Sequence, residues 1–212
     1  VDLIKKACVI TSSIYDALVQ HMKKLKTEKA CRQFVITEML TRDVAPSFPP
    51  IIASGNNSVN IHHQPEEHRL SGPTIVDMGV VYKGYCSDMT RTFFVGKKDR
   101  KQIDLFQRVL AVQEQCRAMV KDGEDYLVVH NYAFTTLGKE MVHTVGHGLG
   151  VQVHEPPFIR KEPVILKQGM VVTIEPGLYL KGIGGVRIED DVWVTKKGSL
   201  LLSRYPRELV FI

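Results

Sequence analysis

Four carboxylates and one imidazole in this chain have the residue types and settings of metal ligands: Asp77, Asp88, His147, Glu175 and Glu189. An isolated acid is usually a solvated surface group, but these acids lie in apolar, strand-like strings, where an unpaired charge is costly to bury. Carboxylate and imidazole ligands suit Mn, Co, Fe or Zn. Two cations about 3.5–4 Å apart need bridging carboxylates and lower the pKa of a bound water. The set therefore predicts two divalent metal ions and indicates hydrolysis.

Two hairpins are expected to position the acids. Residues 74–95 alternate and are rich in Val, Ile, Tyr and Phe, which predicts a hairpin that turns near its Lys-Gly pair. Glycines follow two and seven residues after Asp77 and again after Glu175, and a second acid (Asp88, Glu189) lies on each return strand. Chance could produce this repeat, because acid-x-Gly and Lys-Gly turns are common. We favour two related halves that each give a pair of carboxylates to one central site.

The N-terminal part of the chain is expected to be helical. Apolar residues recur at helical spacing from Leu3 to Leu18, which predicts an amphipathic helix over residues 2–25. Thr27 is a plausible N-cap for a second helix that runs to about Leu40. The following segment, 44–65, is rich in Pro, Ser, Asn and Gly and indicates strand and loop.

Further helices are expected after the first hairpin. Asp99 and Gln102 resemble a capping box that starts a long helix, with Gly123 as the C′ residue that closes it. A shorter helix is expected across 125–140, and extended segments follow to the C-terminus. Helices on one side of a largely antiparallel sheet predict an α+β architecture.

Composition excludes several classes of protein. The 212 residues are 44% hydrophobic and 24% charged, which is typical of a globular protein with a full core. The net charge of +5 is scattered, so we expect no nucleic-acid surface. No apolar run of about 18 residues is present, so no membrane span is expected. The four cysteines are widely spaced, which favours reduced thiols and a cytoplasmic location.

The strings around the five candidate ligands resemble those of the pita-bread metallopeptidases, which include methionine aminopeptidases, Xaa-Pro aminopeptidases, prolidases and creatinase. The strings are IVDMG, YCSDMTRTF, HTVGHGLGVQVHEPP, TIEPGLY and GVRIEDDVWV, in the family's order. The resemblance runs along the whole chain, and as a constellation of five parts it is specific. It implies a curved, mostly antiparallel sheet with helices on its outer face and two pseudo-symmetric halves.

The resemblance also implies roles for the five ligands. Asp77 would bind one metal, Asp88 and Glu189 would bridge both, and His147 and Glu175 would complete the second. Glu175 would also take the proton of the attacking water as the general base.

Four further residues match substrate-binding positions of the family. His154, in VHEPP, would contact the substrate and stabilise the oxyanion. His62, in NIHH, would lie near the substrate amine or the leaving group. His143 and Arg187 match positions near the prolyl pocket.

The string GVRIEDDVWV favours the proline-peptidase branch. The leading hypothesis is an exopeptidase that cleaves Xaa-Pro bonds at the N-terminus of short peptides, as an aminopeptidase or a dipeptidase. A methionine aminopeptidase is the alternative enzyme. The alternative of another class is a non-catalytic pita-bread module that binds peptides or proteins, although such modules typically lose ligands.

We expect residues 1–212 to form a single catalytic domain, without the N-terminal domain that the resemblance implies for proline peptidases. Both a monomer and a homodimer stay open. Arg91 has two equal interpretations, pairing with a ligand carboxylate or simple exposure. His63 and the other histidines outside the site are expected at the surface or behind the ligands.

Overall fold

The helices of the computed structural model, which describes residues 1–97 and 99–212, begin close to the predicted positions. They are α1 (Asp2–Leu25), α2 (Glu28–Thr41), α3 (Arg100–Met119) and α4 (Tyr126–Leu137). Thr27 caps α2 as predicted, because its Oγ1 accepts a hydrogen bond from Ala30 N at 3.2 Å. Asp99 caps α3 in the same way. A short 3-10 helix occupies Gly55–Val59.

Two predictions about α3 were wrong. The helix ends at Met119 and not at Gly123. Gly123 lies in a turn, with φ at 80°, and its N–H donates to Leu166 O at 2.9 Å. The capping box is incomplete, since the side chain of Gln102 donates to Ile183 O at 3.1 Å. In both places a contact with a distant segment replaces the expected local bond.

The strands of the described residues form four sheets, ordered β1-β4-β5, β10-β11, β13-β12-β9-β7-β8 and β14-β6-β3-β2. The first-half strands are β1 (Ala45–Pro46), β2 (Ile51–Ser54), β3 (Gly72–Met78), β4 (Val80–Tyr82), β5 (Tyr85–Cys86) and β6 (Met89–Val95). The second-half strands are β7 (His147–Gly148), β8 (Glu155–Phe158), β9 (Val171–Ile174), β10 (Gly177–Leu180), β11 (Gly184–Arg187), β12 (Asp190–Thr195), β13 (Gly198–Leu201) and β14 (Val210–Phe211). Pairing is antiparallel except between β14 and β6.

The predicted hairpin turns at Lys83-Gly84, but it is divided between two sheets. Strands β3 and β6 pair from Gly72–Val95 to Met78–Met89, whereas β4 pairs with β5 on one side and with β1 on the other. The second hairpin is divided in the same way, into β9 with β12 and β10 with β11. The repeat seen in the sequence is therefore a repeat of structure.

Each half has its own hydrophobic core beneath a pair of helices. Helices α1 and α2 pack on the first hairpin through residues such as Leu18, Val35 and Val76. Helices α3 and α4 pack on the second hairpin through residues such as Phe106 and Val192. The α+β expectation is confirmed. Within the described residues, no helix has both the length and the apolar character to cross a bilayer.

Candidate metal centre

The four acids occupy matching positions in the two hairpins. Asp77 lies near the end of β3, and Asp88 directly precedes β6. Glu175 directly follows β9, and Glu189 directly precedes β12. The hairpins meet at this point, where Glu189 N donates to Thr90 O at 3.1 Å. Each half thus contributes two carboxylates from the ends of paired strands.

The structure brings all five predicted ligands together. Ligand atoms of Asp77, Asp88 and Glu189 lie within 4.8 Å of one another, as do those of His147, Glu175 and Glu189. His147 Nε2 lies 3.4 Å from Glu175 Oε1 and 3.6 Å from Asp88 Oδ2. Two triads that share a carboxylate match what two adjacent cations require.

Two of the candidate ligand carboxylates have oxygen atoms that could still bind a cation. The Oδ1 atoms of Asp77 and Asp88 are buried without a hydrogen-bond partner among the described residues. Burial, together with repulsion from Glu189 and Asp77, raises the pKa of Asp88 well above its usual range. Burial also raises the pKa of Glu189 well above its usual range, and repulsion from Glu175 adds to it. Divalent cations would offset both costs, so the donor set fits them.

Hydrogen bonds from surrounding residues orient the ligand atoms. Thr90 Oγ1 donates to Glu189 Oε2 at 2.6 Å. His147 Nδ1 lies 3.0 Å from the carbonyl oxygen of Gly148, so Nδ1 is the donor and the lone pair is on Nε2. Burial lowers the pKa of His147, which favours the neutral form that binds metals. Such supporting bonds typically fix the geometry of metal ligands.

The ligands line a cavity of about 550 Å³. The four predicted substrate-binding residues, His62, His143, His154 and Arg187, line the same cavity. Its apolar lining consists of Phe48, Pro49, Ile51, Ile61 and Phe158. A concave, partly apolar space with a few convergent polar groups is typical of a binding site for a small ligand.

Sequence reasoning missed Tyr179, which joins His143 to Arg187. Its hydroxyl lies 2.8 Å from His143 Nε2 and accepts from Arg187 Nη1 at 3.0 Å. Arg187 Nη2 donates to Asp77 Oδ2 at 2.6 Å. Burial raises the pKa of Tyr179 to about 12, so the hydroxyl stays protonated and donates a hydrogen bond to His143 Nε2. The only signal in the sequence was its place in the TIEPGLY string, since its partners are distant.

His154 and His62 are exposed, in contrast to His147. The ring centroid of His154 is 4.2 Å from that of His147, and its ligand atoms lie within 4.8 Å of those of Asp88 and His147. An exposed ring at the edge of the cluster suits contact with a bound molecule.

Arg91 is not exposed and does not pair with a candidate ligand carboxylate, so both interpretations from the sequence were wrong. It is buried, and its guanidinium donates to five acceptors: Thr90 O, Glu189 O, Asp190 Oδ1, Tyr205 O and Pro206 O. Each of the five N–H groups of the guanidinium therefore has a hydrogen-bond acceptor. Its carboxylate partner is Asp190 and not a candidate metal ligand. Arg91 instead ties the backbone at Glu189 to β6, and so joins the two halves at the site.

Comparisons with known proteins show which family this chain is similar to. A family model described as "metallopeptidase family M24" matches residues 2–196 of this chain. The Xaa-Pro dipeptidase of Pyrococcus furiosus is 34% identical over 219 residues, with 99% of this chain and 63% of that protein covered. The putative Xaa-Pro aminopeptidase of Mycoplasma genitalium is 35% identical, with 96% and 61% covered.

Comparison with a solved structure shows that the fold is similar as well as the sequence. The prolidase from Pyrococcus horikoshii OT3 matches with a TM-score of 0.94 and 34% identity, over 99% of this chain and 63% of that one. The pita-bread fold and the proline-peptidase branch expected from the sequence are thereby confirmed. The chain spans about three fifths of the length of these relatives. Because the matched region contains both hairpins and all five candidate ligands, the chain belongs to metallopeptidase family M24.

Proposed function

We propose that this chain carries the catalytic site of an exopeptidase that hydrolyses Xaa-Pro bonds at the N-terminus of short peptides with two divalent metal ions. The main support is the pair of ligand triads that share Glu189 beside a cavity of about 550 Å³. Asp77 would hold one cation, His147 and Glu175 the other, and Asp88 and Glu189 both. Mn, Co, Fe and Zn suit these donors.

The bound cations would supply a water whose pKa is lowered toward ~7. Glu175 would accept a proton from that water as the water oxygen bonds to the peptide carbonyl carbon, and would pass the proton to the proline nitrogen as the C–N bond breaks. His154, exposed at the cavity, would donate a hydrogen bond to the carbonyl oxygen as negative charge develops there. His62 would contact the substrate amine or the leaving group. The chain of bonds from His143 through Tyr179 to Arg187 would shape the part of the cavity that receives proline.

The names of the relatives support the preference for proline, since they include an Xaa-Pro dipeptidase, a putative Xaa-Pro aminopeptidase and a prolidase. We further propose that residues 1–212 act as one catalytic domain in the cytoplasm. The four cysteines are buried and free, which supports a reducing compartment.

The test is peptide hydrolysis by the chain after metal removal, with and without added Mn²⁺ or Co²⁺. We expect metal-dependent cleavage of an Xaa-Pro peptide and none of a Met-Ala peptide. A series of longer Xaa-Pro peptides would separate an aminopeptidase from a dipeptidase. Cleavage of Met-Ala alone would overturn the proline preference, and stoichiometric metal binding without turnover would indicate a binding module.

A further inference from the structure

A buried acid outside the metal cluster organises a segment of the cavity wall. Glu28, in the first turn of α2, is fully buried, which is rare for a glutamate unless it is paired. Its Oε1 accepts from Ser54 N at 2.7 Å and from Asn57 Nδ2 at 3.1 Å. Its Oε2 accepts from His63 Nε2 at 2.7 Å and from Glu66 N at 3.3 Å. One carboxylate thus accepts hydrogen bonds from four residues of the segment 54–66.

These contacts favour a hydrogen-bonding role over metal binding. Ligand atoms of Glu28, His63 and Glu66 lie within 4.8 Å of one another, as the ligands of a single cation would. Each oxygen of Glu28, however, already accepts two hydrogen bonds from nitrogen donors. A carboxylate with its acceptor sites filled by N–H groups has little capacity left for a cation.

The segment is also fixed on its other side. Gly185 N, in β11, donates to Ser58 Oγ at 2.7 Å. A Cβ at Gly185 would lie 2.0 Å from Ser58 O, so the backbones are in close contact. The 3-10 helix is therefore held between Glu28 of α2 and the strand that ends at Arg187.

The residue that this arrangement presents to the cavity is His62. It directly precedes His63, which is buried against Glu28, while the side chain of His62 is exposed and lines the cavity. The bonds to Glu28 restrain the chain on both sides of His62, at Asn57 before it and at His63 and Glu66 after it. A displacement of about 1 Å in a reacting group can cost on the order of 100-fold in rate.

We propose that Glu28 is a positioning residue that sets the place of His62 against the substrate, with His63 as its nearest link. This inference rests on the proposed peptidase function. Glu28 touches none of the five candidate metal ligands in the contacts of the described residues. Loss of the Glu28 carboxylate should therefore change turnover without changing the number of metal ions bound.

The substitution Glu28→Gln tests this role because it keeps the volume of the side chain. One oxygen still accepts from Ser54 N, but the new amide group faces the N–H of Glu66, which then has no acceptor. We expect kcat/KM for an Xaa-Pro peptide to fall by about 10- to 100-fold at saturating metal. The matched control is Glu67→Gln, directly after this segment, where the side chain is 70% exposed and 3.3 Å from Lys29 Nζ.

A double-mutant cycle with His62→Ala separates positioning from general damage to the fold. If Glu28 acts through His62, Glu28→Gln causes no further loss of kcat/KM once His62 is removed. Metal content per chain should equal that of the unmodified protein in every variant. Hydrogen exchange of the amides in 54–66 should become faster in Glu28→Gln but not in Glu67→Gln.

Additive losses in the cycle, or loss of bound metal in Glu28→Gln, would overturn the positioning role while leaving the peptidase intact. Failure of the unmodified chain to cleave would instead overturn the proposed function, and this inference with it. If Glu28→Gln does not fold, His63→Ala takes its place in the cycle. His63→Gln should then restore activity, because its amide nitrogen can reach the same oxygen of Glu28.

Discussion

Single residues of the metal cluster are held in positions that are unfavourable without cations. Among the described residues, none donates a hydrogen bond to Asp88 Oδ1, and burial and acidic neighbours raise the pKa of Asp88 well above its usual range. Its backbone N–H donates to Asp191 Oδ2 at 3.0 Å, which holds the backbone in place at this position. Under the proposed function, this position serves metal binding at a cost to the stability of the metal-free chain.

The substitution Asp88→Asn should therefore separate stability from function. It removes one negative charge from the cluster with little change in volume, so the metal-free variant should be at least as stable as the unmodified metal-free chain. We expect loss of bridging to lower metal affinity and to reduce kcat/KM at least about 100-fold. Thermal unfolding, metal titration and peptide hydrolysis measure the three effects.

The exposed Asp104 on α3 provides the control, since Asp104→Asn makes the same chemical change away from the site. Unchanged metal affinity in Asp88→Asn would contradict the assignment of Asp88 as a ligand.

Tyr179 offers a test at the substrate side of the cavity. The substitution Tyr179→Phe leaves a donor of Arg187 and an acceptor of His143 without their partner. An unpaired buried polar group costs about 1–3 kcal/mol, so we expect kcat/KM to fall by about one to two orders of magnitude. Metal content should not change. Tyr132→Phe, on α4, is the control, and equal losses in both variants would show that the His143–Arg187 link is unimportant.

The residue types at this site could be predicted from sequence, but several of their partners could not. The ligand acids were recognisable because charge interrupts apolar strings. Arg91 was not assigned correctly, because its acceptors at Tyr205 and Pro206 are more than 100 residues away. Glu28 resembled an ordinary acid at a helix start, where acids are common for reasons unrelated to burial.

At the scale of elements, the chain passes at Gly79 from the sheet of β3 and β6 to the sheet of β4 and β5. This passage sets the direction of the loop that carries Asp88. A Cβ at Gly79 would lie 1.8 Å from Ser87 O and 2.4 Å from Ser47 Oγ. Ser47 N donates to Gly79 O at 3.0 Å, and Ser87 N donates to Val80 O at 3.0 Å. Close backbone approach at this glycine is what lets β4 and β5 leave the β3–β6 ladder.

The substitution Gly79→Ala should therefore disturb both the hairpin and the site. Overpacking costs about 1–3 kcal/mol, and about 2–4 °C of melting temperature accompanies each kcal/mol in a chain of this size. We expect a melting temperature about 5 °C lower and weaker metal binding, because Ser87 precedes Asp88. Gly198→Ala is the control, since a Cβ there meets nothing within 4 Å. A melting temperature equal to that of the control would contradict the close approach.

Elements defined by local periodicity were the most predictable. The first helix was predicted over 2–25 and observed at Asp2–Leu25, because its buried face repeats along a single helix. The division of the hairpin between two sheets was not predicted, since alternation shows that a residue is in a strand and not which strand it pairs with. The end of α3 was also missed, because the turn after it is determined by hydrogen bonds to two distant residues, Leu166 and Thr195 at the end of β12.

For the whole molecule, the candidate metal site lies at the junction of two halves, each of which has a main core of its own. Contacts across the junction are partly apolar, since Ile4 and Cys86 pack in one buried cluster with Leu149. They are also polar, with Arg91 2.6 Å from Asp190 and Arg187 2.6 Å from Asp77. The candidate ligands come from both hairpins, so bound cations would connect the halves directly. Unfolding of either half would then release the metals.

Metal binding should consequently stabilise the entire chain against heat. A ligand at 100 times its dissociation constant adds about 2.7 kcal/mol to the free energy of unfolding, which corresponds to an increase of about 5–10 °C in melting temperature. We expect this increase when Mn²⁺ is added to the metal-free chain, and a much smaller one in Asp88→Asn under the same conditions. Calorimetry of both proteins measures it. An equal increase in the two proteins would place the stabilising cation elsewhere, whereas stabilisation confined to one of two separate transitions would show that the halves unfold independently.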